Sequence, residues 1–449
     1  MIPATDAGRT AALEYLQRAG KVAHNFRNVP ENTLTRRVEA VGVVGAGTMG
    51  CGIAMAFANH GFSVMLNDAN PEAVKAGMSS IRAMYESSVS RSRITAEEAK
   101  ARVLRIKPSE ELGELGACDL VVEAVYEDMP LKRDIFRRLD KILKPEAILA
   151  TNTSGLDIDL IAESTSRPQD VIGAHFFSPA NVQKLLEVVR GKHTAPECVM
   201  TLMSLAQRLG KVAVVSANYP GFIGNALFRQ YNREAHFLVE DGALPHEVDA
   251  ALEEFGFAMG VFAVHDLAGN DVGWRMRKQQ MATRPMDRRW NDLILELCDM
   301  GRLGQKTGKG WYVYGDGSRT PKRDPEIEEF IVTRSKRLGI ERRVIARKEI
   351  LERCLFSMVN EAARLLEKRV ALRASDVDLV FVTGYGFPAE RGGPLYFADQ
   401  IGLRRVYERV VANHEALGFW WKPAPLLQRL AETDGTFGSL DTSSSTKAA

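Results

Sequence analysis

The chain of 449 residues lacks several features that mark whole classes of protein. No apolar run approaches the roughly 18 to 20 residues that a membrane-spanning helix needs. The cysteines number five, an odd count, and none of them forms a Cys-x-x-Cys pair. That pattern argues against a disulfide framework and against a thiolate metal site. We therefore expect a protein of a reducing compartment that holds no metal and does not insert into a membrane.

An excess of charge of either sign is also missing. The 59 Lys and Arg residues nearly balance the 57 Asp and Glu residues, and the basic residues are dispersed along the chain. A net charge of +2 gives little attraction to a bulk polyanion, so we expect no nucleic-acid partner. The first residues show no basic segment followed by an apolar one, as a secretion signal would. Together these absences predict a cytoplasmic protein.

Glycine, by contrast, is plentiful, and one glycine-rich segment stands in an informative context. The sequence GAGTMGC begins at Gly45, after the strand-like run 38–44 and before the helix-like run 53–59. Among 37 glycines a bare GxGxxG is weak evidence, but a strand before it and a helix after it are typical of a dinucleotide site. There Gly45 allows a tight turn, Gly47 lets the backbone approach a pyrophosphate, and Gly50 lets the helix pack against the sheet.

The next apolar run, 61–66, leads to an acidic residue, Asp68, which lies 18 residues beyond Gly50. A carboxylate at this position accepts hydrogen bonds from the ribose hydroxyls of NAD and repels the extra phosphate of NADP. The sequence therefore predicts NAD as the cofactor. The predicted cofactor-binding residues of this region are Gly45, Ala46, Gly47, Thr48, Met49, Gly50 and Asp68.

Further along the chain, strand-like and helix-like segments alternate from Arg37 to about Val215, which predicts a doubly wound sheet. The later strands are expected at 103–106, 120–124, 147–151, 171–177, 185–189 and 212–215. Residues 10–26 have the spacing of a short amphipathic helix, and after Pro220 the pattern turns helical. We therefore expect a Rossmann-type α/β domain followed by two homologous all-α domains.

The two helical blocks repeat one another. Asn232-Arg233-Glu234-Ala235 corresponds to Val359-Asn360-Glu361-Ala362, and Gly256-Phe257 corresponds to Gly386-Phe387. The offset grows from 127 to 130 residues, as a duplication with small insertions would leave it. The predicted domains are a linker-like helix, 1–36; an NAD-binding Rossmann domain, 37–218; a first helical domain, 219–314; a linker, 315–342; a degenerate second helical domain, 343–435; and a disordered tail, 436–449.

Three polar residues in the second half of the predicted sheet are candidates for catalysis. Ser154 follows Asn152-Thr153 at a strand end, His175 lies in GAHFF, and Glu187 lies in KLLEVV. Oxidising a secondary alcohol with a nicotinamide needs a base for the hydroxyl proton, and a histidine oriented by a carboxylate suits that task. Taken alone, a histidine in a strand is more often a packed residue, and a glutamate there a solvated one. Spacing by itself does not unite the three.

Seven segments resemble the (S)-3-hydroxyacyl-CoA dehydrogenase family of fatty-acid β-oxidation. They are GAGTMGCGIA, DLVVEAVYEDMPLK, NTSGLD, GAHFFSPA, KLLEVV, PGFIGNAL and GQKTGKGWY. The resemblance extends roughly from Arg37 to Leu430, and it is closest to the dehydrogenase half of multifunctional enzymes of the peroxisomal type. It implies NAD-dependent, reversible oxidation of an (S)-3-hydroxyacyl-CoA thioester to the 3-oxoacyl-CoA.

The same resemblance assigns roles to individual residues. It implies that His175 is the general base with Glu187 as its partner. Ser154 then donates a hydrogen bond to the substrate 3-oxygen, and Asn225 holds the substrate oxygens. On the cofactor side it implies contributions from Glu127, Lys132, Ser154 and, from the first helical domain, Lys306.

Some positions depart from the family pattern. Ala226 follows the asparagine where the family usually has arginine, which puts the local hydrogen bonding in doubt. In the second helical block Arg353 stands where Asn225 stands in the first, so we expect only the first block to serve the site. The multifunctional enzymes carry a hydratase/isomerase domain before the dehydrogenase, and about 36 residues precede it here. We therefore expect the hydratase step to be absent, and residues 10–26 to correspond to a linker helix.

Two other functions stay open at this stage. The chain could be a dehydrogenase of a free hydroxy acid, since relatives on this scaffold act without CoA. It could also be a noncatalytic NAD-binding subunit that docks a separate enoyl-CoA hydratase through its N-terminal helix. Because a duplicated helical domain can satisfy a two-fold interface within one chain, we expect a monomer.

Overall fold

The computed structural model describes residues 5–24, 29–30, 32–272, 274–281, 284–315 and 317–443. The chain forms two compact units. The sheet unit consists of Glu14–Asn225 and Lys368–Tyr385. The helical unit consists of Met1–Leu13, Ala226–Glu367 and Gly386–Ala449. Among the described residues, no helix combines the length and the hydropathy that crossing a bilayer requires.

The sheet unit is built on a single eight-stranded sheet within the described part of the chain. Its strands are β1 (Ala40–Val44), β2 (Ser63–Asn67), β3 (Ile106–Ser109), β4 (Leu120–Glu123), β5 (Ile148–Thr151), β6 (Val171–Phe176), β7 (Leu185–Arg190) and β8 (Val212–Ala217). They lie in the order β3-β2-β1-β4-β5-β6-β7-β8, and only the β6–β7 pair is antiparallel. This architecture confirms the predicted Rossmann-type sheet.

Helices supply most of the crossover connections between the parallel strands, and a long series of helices follows β8. The helices are α1 (Asp6–His24), α2 (Thr48–Asn59), α3 (Pro71–Ser90), α4 (Ala96–Leu104), α5 (Met129–Ile142), α6 (Ile158–Ala162), α7 (Pro196–Arg208), α8 (Gly224–Asp241), α9 (Pro245–Phe255), α10 (Val261–Ala268), α11 (Trp274–Met281), α12 (Leu293–Asp299), α13 (Pro325–Arg337), α14 (Arg347–Glu367), α15 (Ala374–Gly384), α16 (Pro394–Ile401), α17 (Leu403–Leu417), α18 (Pro425–Glu432) and α19 (Gly438–Ser443). The predicted N-terminal helix at 10–26 is observed as α1, and its last two predicted residues lie outside the described residues.

Both faces of the sheet are covered by apolar side chains. Successive strand residues alternate between two hydrophobic clusters: Leu120 and Val122 belong to one cluster, and Val121 belongs to the other. All four residues of β4 are buried, because helices pack on each side. A central strand of a parallel sheet is therefore apolar throughout, which explains why runs such as DLVVEA could be recognised as strands.

A segment of the second helical block belongs to the sheet unit. Ala217 of β8 donates its backbone N–H to the carbonyl of Val370, at 2.9 Å, and Ser216 forms an isolated antiparallel bridge with Ala371. The helix α15 then packs on β7 and β8, where a Cβ on Gly384 would lie 2.4 Å from Leu185. The sheet unit thus includes Lys368–Tyr385, a segment that follows the rest of this unit by more than 140 residues in the sequence.

In the helical unit, parts of both repeated blocks pack together. The guanidinium of Arg353, on α14, is paired with Glu234 at 3.0 Å and with Asp241 at 2.7 Å, both on α8. The ring of Phe255 contacts the rings of Phe387 and Phe397. The position where the first block has its asparagine is therefore filled in the second block by a buried arginine with structural partners.

The structure differs from the predicted linker at 315–342, because α13 lies inside it. Asp324 caps this helix by accepting a hydrogen bond from the Glu326 N–H, and a proline occupies the first helical position. Ile327 and Ile331 are buried on one face. Because the segment is rich in charged residues, its amphipathic helix was not recognised from the sequence.

The predicted disordered tail, 436–449, also differs in part. Phe437 is fully buried, and its N–H donates to the carboxylate of Asp399 at 2.8 Å. The short helix α19 follows it. The remainder of the predicted tail, 444–449, lies outside the described residues.

Candidate active site

His175 and Glu187 face each other across the one antiparallel pair of the sheet. In the register of β6 and β7 the two residues are direct partners, and His175 Nδ1 lies 2.8 Å from Glu187 Oε2. The carboxylate is fully buried and the histidine is 6% exposed. A buried carboxylate on Nδ1 fixes the orientation of the ring and stabilises its protonated form.

The second oxygen of Glu187 is held by the backbone. Oε1 accepts hydrogen bonds from the N–H groups of Ile223 and Gly224, at 3.1 and 3.0 Å. These groups lie at the start of α8, where the helix dipole favours a negative charge. The glutamate is thus anchored on one side and presents a fixed negative oxygen to the histidine on the other.

The other ring nitrogen of His175, Nε2, does not contact Glu187 and can take part in proton transfer. Among the described residues, Nε2 has no hydrogen-bond partner. The rings of Phe177 and Phe222 lie with their centroids 4.3 and 5.7 Å from the imidazole. These apolar neighbours restrict the ring and leave Nε2 as its available proton acceptor.

Ser154 lies just beyond the carboxyl end of β5 and is held by Glu127. Oε1 of Glu127 accepts hydrogen bonds from the Ser154 N–H at 2.8 Å and from its hydroxyl at 3.0 Å. The hydroxyl of Thr153 donates to the same oxygen at 2.7 Å. The structure therefore joins two of the residues that the resemblance singled out.

Lys132 is buried beneath this arrangement. Its Nζ lies 2.7 Å from Oε1 of Glu123 and 3.4 Å from Oε2 of Glu127, and its side chain is only 1% exposed. The other oxygen of Glu123 accepts a hydrogen bond from Thr151 at 2.7 Å. Lys132 therefore orients Glu127 through this ion pair.

Sequence reasoning missed Glu123. The available signal was a carboxylate at the end of a fully buried strand, which requires a cationic or hydrogen-bonding partner.

Asn225 joins Ser154 on the other side. Its Nδ2 donates to the backbone carbonyl of Ser154 at 3.0 Å, and its Oδ1 accepts a hydrogen bond from the hydroxyl of Tyr385 at 2.8 Å. Sequence reasoning missed Tyr385 altogether. The expectation that only the first helical block serves the site is not met at this contact, because Tyr385 follows α15 in the second block.

The glycine turn between β1 and α2 has the form that a dinucleotide needs. Gly45 has φ of +108°, and a Cβ there would lie 2.7 Å from the carbonyl oxygen of Ala124. A Cβ on Gly50 would lie 1.7 Å from the carbonyl oxygen of Gly45. A Cβ on Gly47, by contrast, would meet no atom within 4 Å. Gly45 and Gly50 are thus required by the turn itself. Gly47 leaves space for a pyrophosphate beside a helix N-terminus that has no side-chain cap.

Asp68 lies next to this turn, at the carboxyl end of β2. Its Oδ2 accepts the N–H of Ala46 and its Oδ1 accepts the N–H of Asn70, both at 3.0 Å. Thr48 and Met49 form the first turn of α2. The predicted cofactor residues of this region are therefore neighbours in space, and they fit an NAD molecule lying along the carboxyl ends of β1 and β2.

Lys306 lies in the helical unit and is paired there with Asp271. The turn that carries it is shaped by Asp266, against whose atoms a Cβ on Gly304 or Gly310 would lie at 2.3 and 1.8 Å. Packing against Asp266 thus accounts for Gly304 and Gly310, Gly308 has a φ of +69°, and a cofactor role for Lys306 stays a prediction. Within the described ranges, no group of three acidic, histidine or cysteine side chains is arranged to hold a metal ion.

A Rossmann sheet with an open glycine turn and a carboxylate-paired histidine at its carboxyl edge is typical of nicotinamide-dependent dehydrogenases. Comparison with known proteins makes this specific. The family model described as the 3-hydroxyacyl-CoA dehydrogenase NAD binding domain matches residues 40–219, and the model of the C-terminal domain of that family matches 221–314 and 350–439. The chain belongs to the 3-hydroxyacyl-CoA dehydrogenase family. The predicted resemblance and the predicted NAD cofactor are thereby confirmed.

Three known proteins illustrate the relationship. The peroxisomal bifunctional enzyme of Danio rerio is 42% identical over 94% of this chain and 61% of its own length. The 3-hydroxybutyryl-CoA dehydrogenase of Escherichia coli has a TM-score of 0.77 at 29% identity, over 89% of this chain and 99% of its own. The dehydrogenase part of multifunctional enzyme 1 from C. elegans has a TM-score of 0.66 at 28% identity, over 94% and 99%. The chain spans about three fifths of the length of the curated relatives it matches.

Proposed function

We propose that the chain catalyses the reversible, NAD-dependent oxidation of (S)-3-hydroxyacyl-CoA to 3-oxoacyl-CoA, in fatty-acid β-oxidation or related CoA-thioester metabolism. The observation that carries this proposal is the His175–Glu187 pair with Nε2 left available, beside Ser154 and Asn225. Bound NAD supplies the acceptor for the hydride.

His175 is the general base of this proposal. Its Nε2 removes the proton of the 3-hydroxyl group while the hydride leaves the same carbon, so the C–O single bond becomes a carbonyl. The positive charge that develops on the imidazole is stabilised by Glu187 on Nδ1. In the reverse direction the imidazolium returns the proton to the oxygen.

Ser154 and Asn225 hold the substrate oxygen during this step. The Ser154 hydroxyl rotates from Glu127 to the substrate oxygen, while its backbone N–H keeps the residue attached to Glu127. Glu127, anchored in turn by Lys132, therefore positions the serine for the substrate and faces the cofactor side. Lys306 is assigned to the cofactor on the resemblance alone.

A kinetic comparison tests this function against its two rivals. The oxidation of NADH is followed with acetoacetyl-CoA and with free acetoacetate, at matched concentrations. Turnover of the thioester alone supports the proposal. Turnover of the free acid at comparable kcat/KM would make the chain a hydroxy-acid dehydrogenase. Absence of turnover with both, together with retained NADH binding and co-purification with a hydratase, would make it a noncatalytic docking subunit.

Oligomeric state and location are part of the same proposal. Because both repeated blocks contribute to the helical unit, we propose a monomer; light scattering should give a mass near 49.7 kDa. A mass near twice that value, unchanged on dilution, would refute it. The curated relative from Danio rerio is named as a peroxisomal enzyme, so the cytoplasmic location expected from the sequence stays a prediction, which fractionation of the host cell tests.

A further inference from the structure

Tyr385 connects the second helical block to the substrate-binding asparagine. Its hydroxyl lies 2.8 Å from Oδ1 of Asn225. Its ring stacks on Phe381, with centroids 4.8 Å apart and planes at 12°, and meets the edge of Phe177 at 5.5 Å. A Cβ on Gly224 would lie 2.4 Å from the tyrosine ring, so the start of α8 has to be a glycine for this approach. The ring is held from three sides, which fixes the position of the hydroxyl.

The hydrogen bonds determine which way the Asn225 amide faces. The backbone carbonyl of Ser154 can only accept, so the amide group 3.0 Å from it must be Nδ2. The opposite atom, Oδ1, can only accept, and the Tyr385 hydroxyl must therefore be the donor. Two independent partners thus specify one orientation of the side chain, in which Nδ2 keeps a second N–H.

The repeat places a hydroxyl in only one of the two corresponding positions. Counting back from the matching Gly-Phe pairs, Tyr385 corresponds to Phe255, 130 residues earlier. Phe255 is buried against other aromatic rings, where a hydroxyl would have to find a partner. Likewise Asn225 corresponds to Arg353, which is paired with acids. The first block supplies the asparagine, and the second supplies the tyrosine that contacts it.

We propose that Tyr385 is a positioning residue of the dehydrogenase reaction. Its hydroxyl fixes the amide of Asn225 so that the second N–H of Nδ2 donates to the substrate oxygen. This role rests on the proposed function, because it is defined by the oxygen of the 3-hydroxyacyl or 3-oxoacyl group. Without the hydroxyl the amide rotates among several orientations, and only some of them present an N–H to the substrate.

The test compares two tyrosine-to-phenylalanine variants. Tyr385→Phe removes the donor to Asn225, and Tyr85→Phe is the matched control, because the Tyr85 hydroxyl also lies 2.8 Å from an asparagine Oδ1, that of Asn59. With acetoacetyl-CoA and NADH, we expect Tyr385→Phe to lower kcat roughly 5- to 20-fold, as for one lost hydrogen bond. The KM for NADH should not change. Tyr85→Phe should keep the wild-type kcat.

A double-mutant cycle shows whether Tyr385 acts through Asn225. In an Asn225→Ala background, the further change Tyr385→Phe should have no additional effect on kcat. If the double variant instead lowers kcat by the product of the two single-variant factors, the positioning role is overturned. A wild-type kcat in Tyr385→Phe would overturn it as well. A loss of kcat accompanied by a lower melting temperature and a raised KM for NADH would also overturn it, as a structural effect. An inactive wild-type protein would overturn the proposed function and this role together, whereas an active one with an unaffected Tyr385→Phe variant would overturn this role alone.

Discussion

Glu187 lies directly opposite His175 in the antiparallel pair of β6 and β7, so that residues 12 apart in the chain approach to 2.8 Å. Because β6 is parallel to β5, its carboxyl end lies at the cofactor edge of the sheet, and the following strand runs back from there. The reversal brings a carboxylate from β7 to the edge where Ser154, a proposed substrate-binding residue, follows β5. The antiparallel strand β7 therefore supplies the carboxylate partner of His175, the proposed base.

Removing the proposed base should slow the chemical step without weakening the binding of the cofactor. We expect His175→Gln to lower kcat by about 10²- to 10⁴-fold, because glutamine cannot accept the hydroxyl proton. Glu187→Gln should also slow turnover, since the imidazolium loses its charged partner. Steady-state assays with acetoacetyl-CoA and a fluorescence titration with NADH measure the two effects separately. His193→Gln, at an exposed histidine, is the control, and wild-type turnover in either active-site variant would contradict the assignment.

The glycine turn offers a pair of single-methyl substitutions with opposite outcomes. Gly50→Ala places a Cβ 1.7 Å from a backbone oxygen, so we expect a clear loss of stability even without cofactor. Gly47→Ala meets open space, so it should keep the wild-type melting temperature and weaken NADH binding, since the methyl takes room meant for the pyrophosphate. Thermal unfolding and an NADH titration of both variants check this. Equal NADH affinity in Gly47→Ala and the wild type would show that the phosphates lie elsewhere.

The choice between NAD and NADP should depend on Asp68. Its carboxylate already accepts two backbone N–H groups and lies at the end of β2, where the ribose hydroxyls are expected. We expect the unmodified protein to prefer NAD strongly. Asp68→Ser should weaken NAD binding and narrow its advantage over NADP, because the negative charge that repels the extra phosphate is gone. Ratios of kcat/KM for the two cofactors measure this, and equal use of both by the unmodified protein would refute it.

The order of the fold could be predicted from the sequence because parallel strands covered on both faces are apolar throughout. The strands at 120–124 and 147–151 and the helix after the glycine turn follow from that rule. At the sheet edge it fails: the predicted strand 103–106 overlaps the end of α4, and β3 begins only at Ile106. In β3, Lys107 and Pro108 are exposed, so this strand has little apolar pattern to recognise.

The site could be predicted only in part, for a different reason. His175, Glu187, Ser154 and Asn225 lie in short motifs, so a family resemblance was enough to assemble them. Tyr385 lies 160 residues from its partner and in a helical block, where no local pattern connects it to the sheet. Long-range contacts of this kind depend on tertiary packing, and the only sequence signal was a tyrosine where the repeat has Phe255.

A buried lysine that contacts the loop between β6 and β7 predicts a specific pH dependence of stability. Lys211 Nζ donates to the carbonyls of Ala180 and Gln183, in the loop between β6 and β7, at 2.8 and 2.7 Å. Burial lowers the pKa of Lys211 from 10.5 to about 8. The unfolded chain therefore binds more protons than the folded one between about pH 8 and 10.5, and stability contributed by this group rises with pH across that window.

The measurement compares the wild type with Lys211→Met by chemical denaturation from pH 7 to 10. The difference in free energy of unfolding, wild type minus variant, should grow by roughly 1 to 3 kcal/mol over this range, because each pKa unit corresponds to about 1.4 kcal/mol. Lys184→Met, which removes an exposed lysine from the same loop, is the control variant. A difference that shrinks as the pH rises would show that the two carbonyls hold the lysine in its charged form.

The pairing of the two helical blocks should depend on Arg353, because its neighbours are acids. Glu234 is 1% exposed, and apart from Arg353 its nearest cation is Arg233 at 3.7 Å. Arg353→Met would leave that buried carboxylate with only the longer ion pair to Arg233, so we expect a loss of about 3 kcal/mol in the free energy of unfolding. Arg347→Met, which removes an exposed pair with Glu254, should cost less than about 1 kcal/mol. Equal stability of the two variants in urea would mean that the apolar contacts between the blocks, rather than this ion pair, hold them together.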